Sequence, residues 1–186
     1  GQNIFLTTGL ISHSDNPEVI AGVIAHELGH IKGGHIILSK NERANIEKKM
    51  IIATLLGAAA GIAAKTPEVA IGGSSISSHN SMLEYFKFSR SQESAADLTG
   101  IKLLNSAGYP SAGVVDFLNY LESQHRSFND RTTSYLSTHP LNHDRIEFMK
   151  SKSIADPKGI SKSLVTRFQR VNKKIVAFTG EPSKVI

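Results

Sequence analysis

The chain has 186 residues, 40% of them apolar, no cysteine and a formal charge of +5. That length suits one domain, or one domain with an appendage, and buries a core without metal or disulfide staples. The missing cysteine excludes disulfides and thiolate-held zinc and leaves the redox compartment open, while the positive charge allows contact with an anionic membrane surface. Its basic residues are not gathered into one dense patch in the sequence and carry no nucleic-acid signature, so nucleic acid is not an expected partner. A start at Gly1 without a signal peptide is expected of a processed or excised product that has lost any targeting segment.

Asn3 to Thr7 reads as a short strand, followed by a turn through Ser12-His13-Ser14-Asp15-Asn16. Asp15 or Asn16 is a candidate N-cap, with Pro17 at the first helical position and Glu18 at the positive helix end. The helix they open is predicted to run from Pro17 to about Ser39. Its apolar residues (Val19, Ile20, Val23, Ile24, Leu28, Ile31) lie nearly all round it, as on a helix buried in its domain. Asn41 to Lys49 is charged and predicted as a solvated helix.

Met50 to Ala64 is apolar apart from Thr54 and rich in Ala and Gly. It is shorter than the roughly 18–20 residues that span a bilayer as a helix. Two readings remain: a hairpin buried against the core, or a membrane-apposed or lid segment. Gly72-Gly73-Ser74-Ser75 and Ser77-Ser78 read as loop. A helix then carries Ala95, Leu98, Ile101 and Leu104 on one stripe and ends near Gly108 and Pro110. Further helices are expected over about Ser111–Gln124 and Asn142–Lys150, with a polar loop at His125–Ser134 between them. Ile154 to Gly159 looks like a linker. Leu164 to Phe178 alternates apolar and basic residues in a helix-like pattern, and either packs on the domain or begins a second one.

Within the first helix, His26-Glu27-Leu28-Gly29-His30 reads H-E-x-x-H. Residues i and i+4 share a helix face, so both imidazoles point at one spot. A catalytic zinc site needs three protein ligands and an open position, and Glu27 stands where it can take a proton from water activated by the metal. Glu93 and Asp97 share a face at the same spacing. Glu93 is thereby the candidate third ligand, and Asp97 the candidate partner for a histidine ring N–H. Taken alone, such a carboxylate pair is as well read as a solvated helix face, and Glu27 as a buried glutamate paired with a cation. His13, His35, His79, His125 and His143 are expected at the surface or in caps. His35 lies about 140° off the ligand face at roughly 100° per residue.

These motifs, with Ser137-Thr138-His139-Pro140-Leu141 and Arg145 following in order, resemble the HtpX/CAAX-protease family of gluzincin metallopeptidases. The likeness covers about Gly1 to Lys150 and is strongest to the soluble, periplasmic BepA-like branch. It implies an α+β, mostly α-helical zincin fold with a small edge sheet and an active-site helix. One Zn²⁺ would be held by His26, His30 and Glu93, with Glu27 as general base and Asp97 in the second shell. His139 matches a histidine that can fill the open metal position and hold the enzyme inactive; an oxyanion-stabilising or loop-capping role is the alternative. Arg145 matches the arginine that follows it, and either residue is a candidate to stabilise a developing oxyanion.

The resemblance further implies that residues 1–150 form the peptidase domain. Residues 151–186 would be a linker and basic helical tail at the start of a truncated helical-repeat region. The strand at Asn3–Thr7 would bind substrate by edge addition. The implied function is a zinc endopeptidase acting on unfolded or misassembled proteins in envelope quality control, periplasmic or membrane-associated. Met50–Ala64 is the candidate membrane contact. The rival reading is a chaperone-like assembly factor for membrane-associated proteins, built on a latent zincin scaffold.

Overall fold

The computed structural model describes residues 3–14, 16–126, 139, 143–153 and 160–179, without the side chains at 67–74, 76–77 and 124–126. The predicted polar loop from residue 127 onward, most of the Ser137–Leu141 motif and the linker at 154–159 lie outside the described residues. Seven helices are described: α1 Thr8–His13, α2 Pro17–Lys32, α3 His35–Ala64, α4 Pro67–Ser106, α5 Ala112–Arg126, α6 His143–Lys152 and α7 Lys162–Thr179.

No strand occurs among the described residues, so the expected edge sheet is absent from them. Asn3–Thr7 is irregular rather than a strand. A strand exists only through ladder bonds to a partner, and none of the described residues offers one. Leu6 instead packs beside Val23, Phe117 and Leu121, and Thr7 caps α1 by accepting from the Leu10 N–H at 3.2 Å.

Asn16 caps α2, its Oδ1 accepting the Glu18 N–H at 3.0 Å, with Pro17 in the first turn. The helix ends at Lys32, seven residues before the predicted Ser39. The apolar pattern runs on through Ile36-Ile37-Leu38, but Gly33-Gly34 interrupts it, with Gly34 in the left-handed region at φ 64°. A new helix, α3, starts at His35, which is buried rather than at the surface.

The described chain divides into two compact units, Gly34–Gln92 and the combination of Gly1–Gly33 with Glu93–Ile186. In the first, the charged stretch and the apolar stretch predicted as separate pieces form the single helix α3. It pairs antiparallel with the first part of α4. Arg43 Nε donates to the Tyr85 hydroxyl at 2.9 Å, and Lys49 Nζ meets Glu84 Oε2 at 2.6 Å. The predicted Gly/Ser loop at 72–78 is helical. Each glycine there costs about 1 kcal/mol of helix propensity, and continuity of the 40-residue helix outweighs it.

The Met50–Ala64 run lies in a hairpin, but not a buried one: Leu55 and Leu56 are 65% exposed and Ile62 is 80% exposed. One partner helix covers one stripe, and a run apolar on all sides must leave the rest uncovered. No described helix is long and apolar enough to cross a membrane.

In the second unit, the end of α4 stops at a Schellman turn as expected. Gly108 sits at φ 74°, and the Tyr109 N–H reaches the Leu104 carbonyl at 2.9 Å. Ala25 of α2, Ile101 and Leu104 of α4, Val114, Val115 and Leu118 of α5, and Ile146 and Met149 of α6 form the main core. The basic helix α7 packs against α1 and α2. Asn172 Nδ2 anchors it by donating to the carbonyls of Ile11 at 2.8 Å and Ser14 at 3.0 Å.

Candidate metal centre

Two helices build the centre. His26 and His30 come from α2, one turn apart; Glu93 and Asp97 come from α4, also one turn apart. The two backbones touch. A Cβ built on Gly29 would sit 2.8 Å from Ala96 Cα and closer still to its carbonyl oxygen. Any larger residue at 29 would push α4, and Glu93 with it, away from the histidines. The sequence held this in plain sight, as the glycine inside the first motif and the alanine between the two carboxylates. Its meaning needed the helix crossing.

His26, His30, Glu93 and His139 each present one donor atom, and these atoms lie within 4.8 Å of one another. Several of the separations are tighter. His26 Nε2 is 3.1 Å from His30 Nε2 and 3.4 Å from His139 Nδ1. Glu93 Oε1 is 3.2 Å from both His30 Nε2 and His139 Nδ1, and Glu93 Oε2 is 3.4 Å from His26 Nε2. A tetrahedral zinc site with bonds of about 2.0–2.2 Å places its donors about 3.3–3.6 Å apart. Imidazole nitrogens and a carboxylate are also the donor types zinc takes, so the residues fit a four-coordinate zinc ion. His139 Nε2, on the other edge of its ring, lies 3.6 Å from Glu27 Oε1. The imidazole thus fills the space between Glu27 and the other donors.

A second layer holds the first. His26 Nδ1 is 2.7 Å from Asp97 Oδ1. With Asp97 ionised, Nδ1 carries a proton and donates it to Asp97, which turns Nε2 toward the cluster as the nitrogen a metal would take. Arg145, from α6, is buried and grips Asp97 with a fork: Nε donates to Oδ2 and Nη2 to Oδ1 at 2.8 Å. Its Nη1 stands 2.9 Å from Glu93 Oε2, close enough for an ion pair though not aligned as a hydrogen bond. Every guanidinium nitrogen therefore faces a buried carboxylate of the centre. Sequence reasoning named Arg145 but not this engagement, because nothing local tells a buried counter-ion from an arginine that faces substrate.

The charges follow from these contacts. Burial alone would lower the His26 pKa, but its bonds to Asp97 and Glu93 overcome that and raise it from 6.5 to about 9. Burial pushes Glu93 up, yet contacts with His139, His26, His30 and Arg145 hold its carboxyl far below the usual range. Asp97 likewise resists burial through Arg145 and His26 and stays ionised below its ordinary value. The centre is an anionic pair wrapped by imidazoles and one fixed guanidinium, which suits a divalent cation.

The comparisons agree with this chemistry. The family model "Peptidase family M48" matches residues 1–153. A Vibrio cholerae protein described as a candidate beta-barrel assembly-enhancing protease is 31% identical over 146 residues, 78% of this chain and 30% of that protein. The beta-barrel assembly-enhancing protease of Escherichia coli is 27% identical over 158 residues, 82% of this chain and 31% of the relative. The metalloprotease YcaL of the same species is 27% identical over 74% of this chain and 50% of its own length. The chain thus spans about a third of the first two relatives. No solved structure matches the chain.

Proposed function

The chain belongs to peptidase family M48, and on that premise we propose that it is a zinc-dependent endopeptidase, held inactive by His139 in the arrangement described. The observation that carries this reading is the convergence of His26, His30, Glu93 and His139, with Glu27 beside them. His26, His30 and Glu93 hold one zinc ion. Bound zinc supplies Lewis acidity, polarising a scissile carbonyl and making water a usable nucleophile near neutral pH. Glu27 accepts a proton from the attacking water and returns it to the leaving amine as the C–N bond breaks. Asp97 fixes the tautomer of His26, and Arg145 fixes Asp97 and Glu93, so Arg145 acts as a positioning residue rather than at the oxyanion. His139 occupies the room that water and a peptide carbonyl would need, and must withdraw before hydrolysis.

Unfolded or misassembled envelope proteins are the proposed substrates, in the bacterial periplasm or at its membranes. The support is the description of the Vibrio cholerae and Escherichia coli relatives as beta-barrel assembly-enhancing proteases, the first as a candidate. Residues 1–150 serve as the peptidase domain and 151–186 as a linker and basic helix. The exposed apolar face of α3 favours a membrane-surface contact through Met50–Ala64. The same face favours one second reading, a chaperone-like binding factor that uses the zincin fold as scaffold.

Two variants test the proposal on a reduced, unfolded substrate such as casein. His139→Ala gains hydrolysis. Glu27→Gln introduced into that released form keeps its zinc, measured by metal analysis, and loses the hydrolysis gained. Cleavage retained by Glu27→Gln removes the general-base role, a fall in activity in His139→Ala makes His139 catalytic, and no cleavage by any form favours the scaffold.

A further inference from the structure

The net charge of the chain has one address. There are 21 Lys and Arg against 16 Asp and Glu. Five of the 21 (Lys162, Arg167, Arg170, Lys173 and Lys174) lie in α7, which has no acidic residue, so the 16 cations elsewhere are matched by 16 anions. Along the sequence these residues look scattered, but on the helix they gather. Leu164, Val165, Phe168, Asn172 and Ile175 form the half-buried stripe toward α1 and α2, while all five cations are exposed and none has an ion pair among the described residues.

The outer surface is not only cationic. Arg167, Val171, Lys174 and Phe178 recur at intervals of four, three and four residues, which places them on one stripe of the helix. Val171 is 50% exposed and Phe178 is 89% exposed, the highest value among the large apolar residues described. A stripe alternating cation and uncovered apolar side chain, about 17 Å long at 1.5 Å per residue, has two needs at once. A polyanion such as nucleic acid or an acidic peptide would pair the cations and leave Val171 and Phe178 in water. The headgroup layer of an anionic bilayer meets both, with phosphates for the cations and the acyl boundary a few ångströms below for the rings and branches.

We propose that the outward face of α7 is a docking surface for anionic phospholipid headgroups, with Arg167 and Lys174 on the phosphates and Phe178 and Val171 in the acyl boundary. This site is separate from the metal centre and from the Met50–Ala64 contact, and stands or falls without either.

The test is co-sedimentation of the full chain with vesicles of phosphatidylcholine alone and of phosphatidylcholine with about a third phosphatidylglycerol. Binding is expected only to the second, weakening as salt is raised. Arg167→Gln with Lys174→Gln should cut the partition by about 25-fold, each surface cation being worth about fivefold. Phe178→Ser should cut it further at constant charge. Circular dichroism checks that the variants keep their helix content. Failure to bind anionic vesicles overturns the proposal. So does binding unchanged by the α7 variants but lost in Leu55→Ser with Leu56→Ser, which would assign the membrane to α3. Binding that depends on the cations but not on Phe178, and is competed away by heparin, makes the face a general polyanion site and overturns the lipid occupant.

Discussion

Replacing Gly29 by alanine adds one carbon atom where α2 and α4 touch. That Cβ would stand 2.8 Å from Ala96 Cα and closer to its carbonyl oxygen, against an ordinary contact of at least 3.4 Å, so the helices must part locally by at least about 0.6 Å. Ala96 lies between Glu93 and Asp97 on the same helix, so both carboxylates move with it. Zinc–ligand distances tolerate about 0.2 Å, at most a third of that shift. Stability should suffer much less. Overpacking costs about 1–3 kcal/mol, and the alanine returns about 1 kcal/mol of helix propensity. The expected result is a fall in melting temperature of a few degrees, about 2–4 °C per kcal/mol at this chain length. Zinc affinity should drop about 10-fold or more. Competition against a chromophoric chelator reads the affinity, circular dichroism of the metal-free protein reads the melting temperature, and Leu28→Ala, at an exposed neighbour, serves as control. Wild-type zinc affinity in Gly29→Ala would refute the argument that backbone contact positions Glu93.

Arg145→Met leaves Asp97 and Glu93 buried without their cation and should destabilise the metal-free protein by about 3–5 kcal/mol, read by urea denaturation; Arg145→Lys keeps the charge but not the fork and should fall between. The metal-free protein should be most stable between about pH 4.5 and about pH 6.5. Asp97 and Glu93 are held below their ordinary 3.8 and 4.5, so their contribution is present above those values and lost as pH falls beneath them. His26 is raised from 6.5 to about 9, so its contribution is complete below 6.5 and lost as pH rises through about 9. Melting temperatures across this range in chelator would show a plateau, and a steady climb to alkaline pH would contradict it. Asn172→Ala removes the bonds to Ile11 and Ser14 and should cost about 1–2 kcal/mol. Hydrogen exchange would show faster α7 amides, with α2 unchanged.

The chemistry of the centre was legible because it is written in local spacing. The i, i+4 pairs at 26/30 and 93/97 need only helical geometry to share a face, and both segments are helical. Pro17, Asn16 and Gly108 marked their helix ends for equally local reasons. What failed was long-range or a matter of competition. The apolar pattern argued for a helix through Ser39, and one left-handed glycine at 34 overruled it. Local propensity argued for a loop at 72–78, and the helices on both sides overruled that. Asn3–Thr7 has strand composition, but a strand is a property of two segments. The sequence could not say which side of Met50–Ala64 meets protein, because no side of that run is polar.

The grip of Arg145 on Asp97 and Glu93 also limits how far His139 can travel. Six peptide units separate the two residues, and an extended chain covers at most about 3.3–3.6 Å per residue. While Arg145 stays bonded, the His139 backbone remains within about 22 Å of it, however the intervening residues rearrange. On the proposed reading the imidazole works as a stopper on a short leash. It can leave the metal and admit a substrate without α6 letting go, and it remains close enough to close the site again once the product has gone.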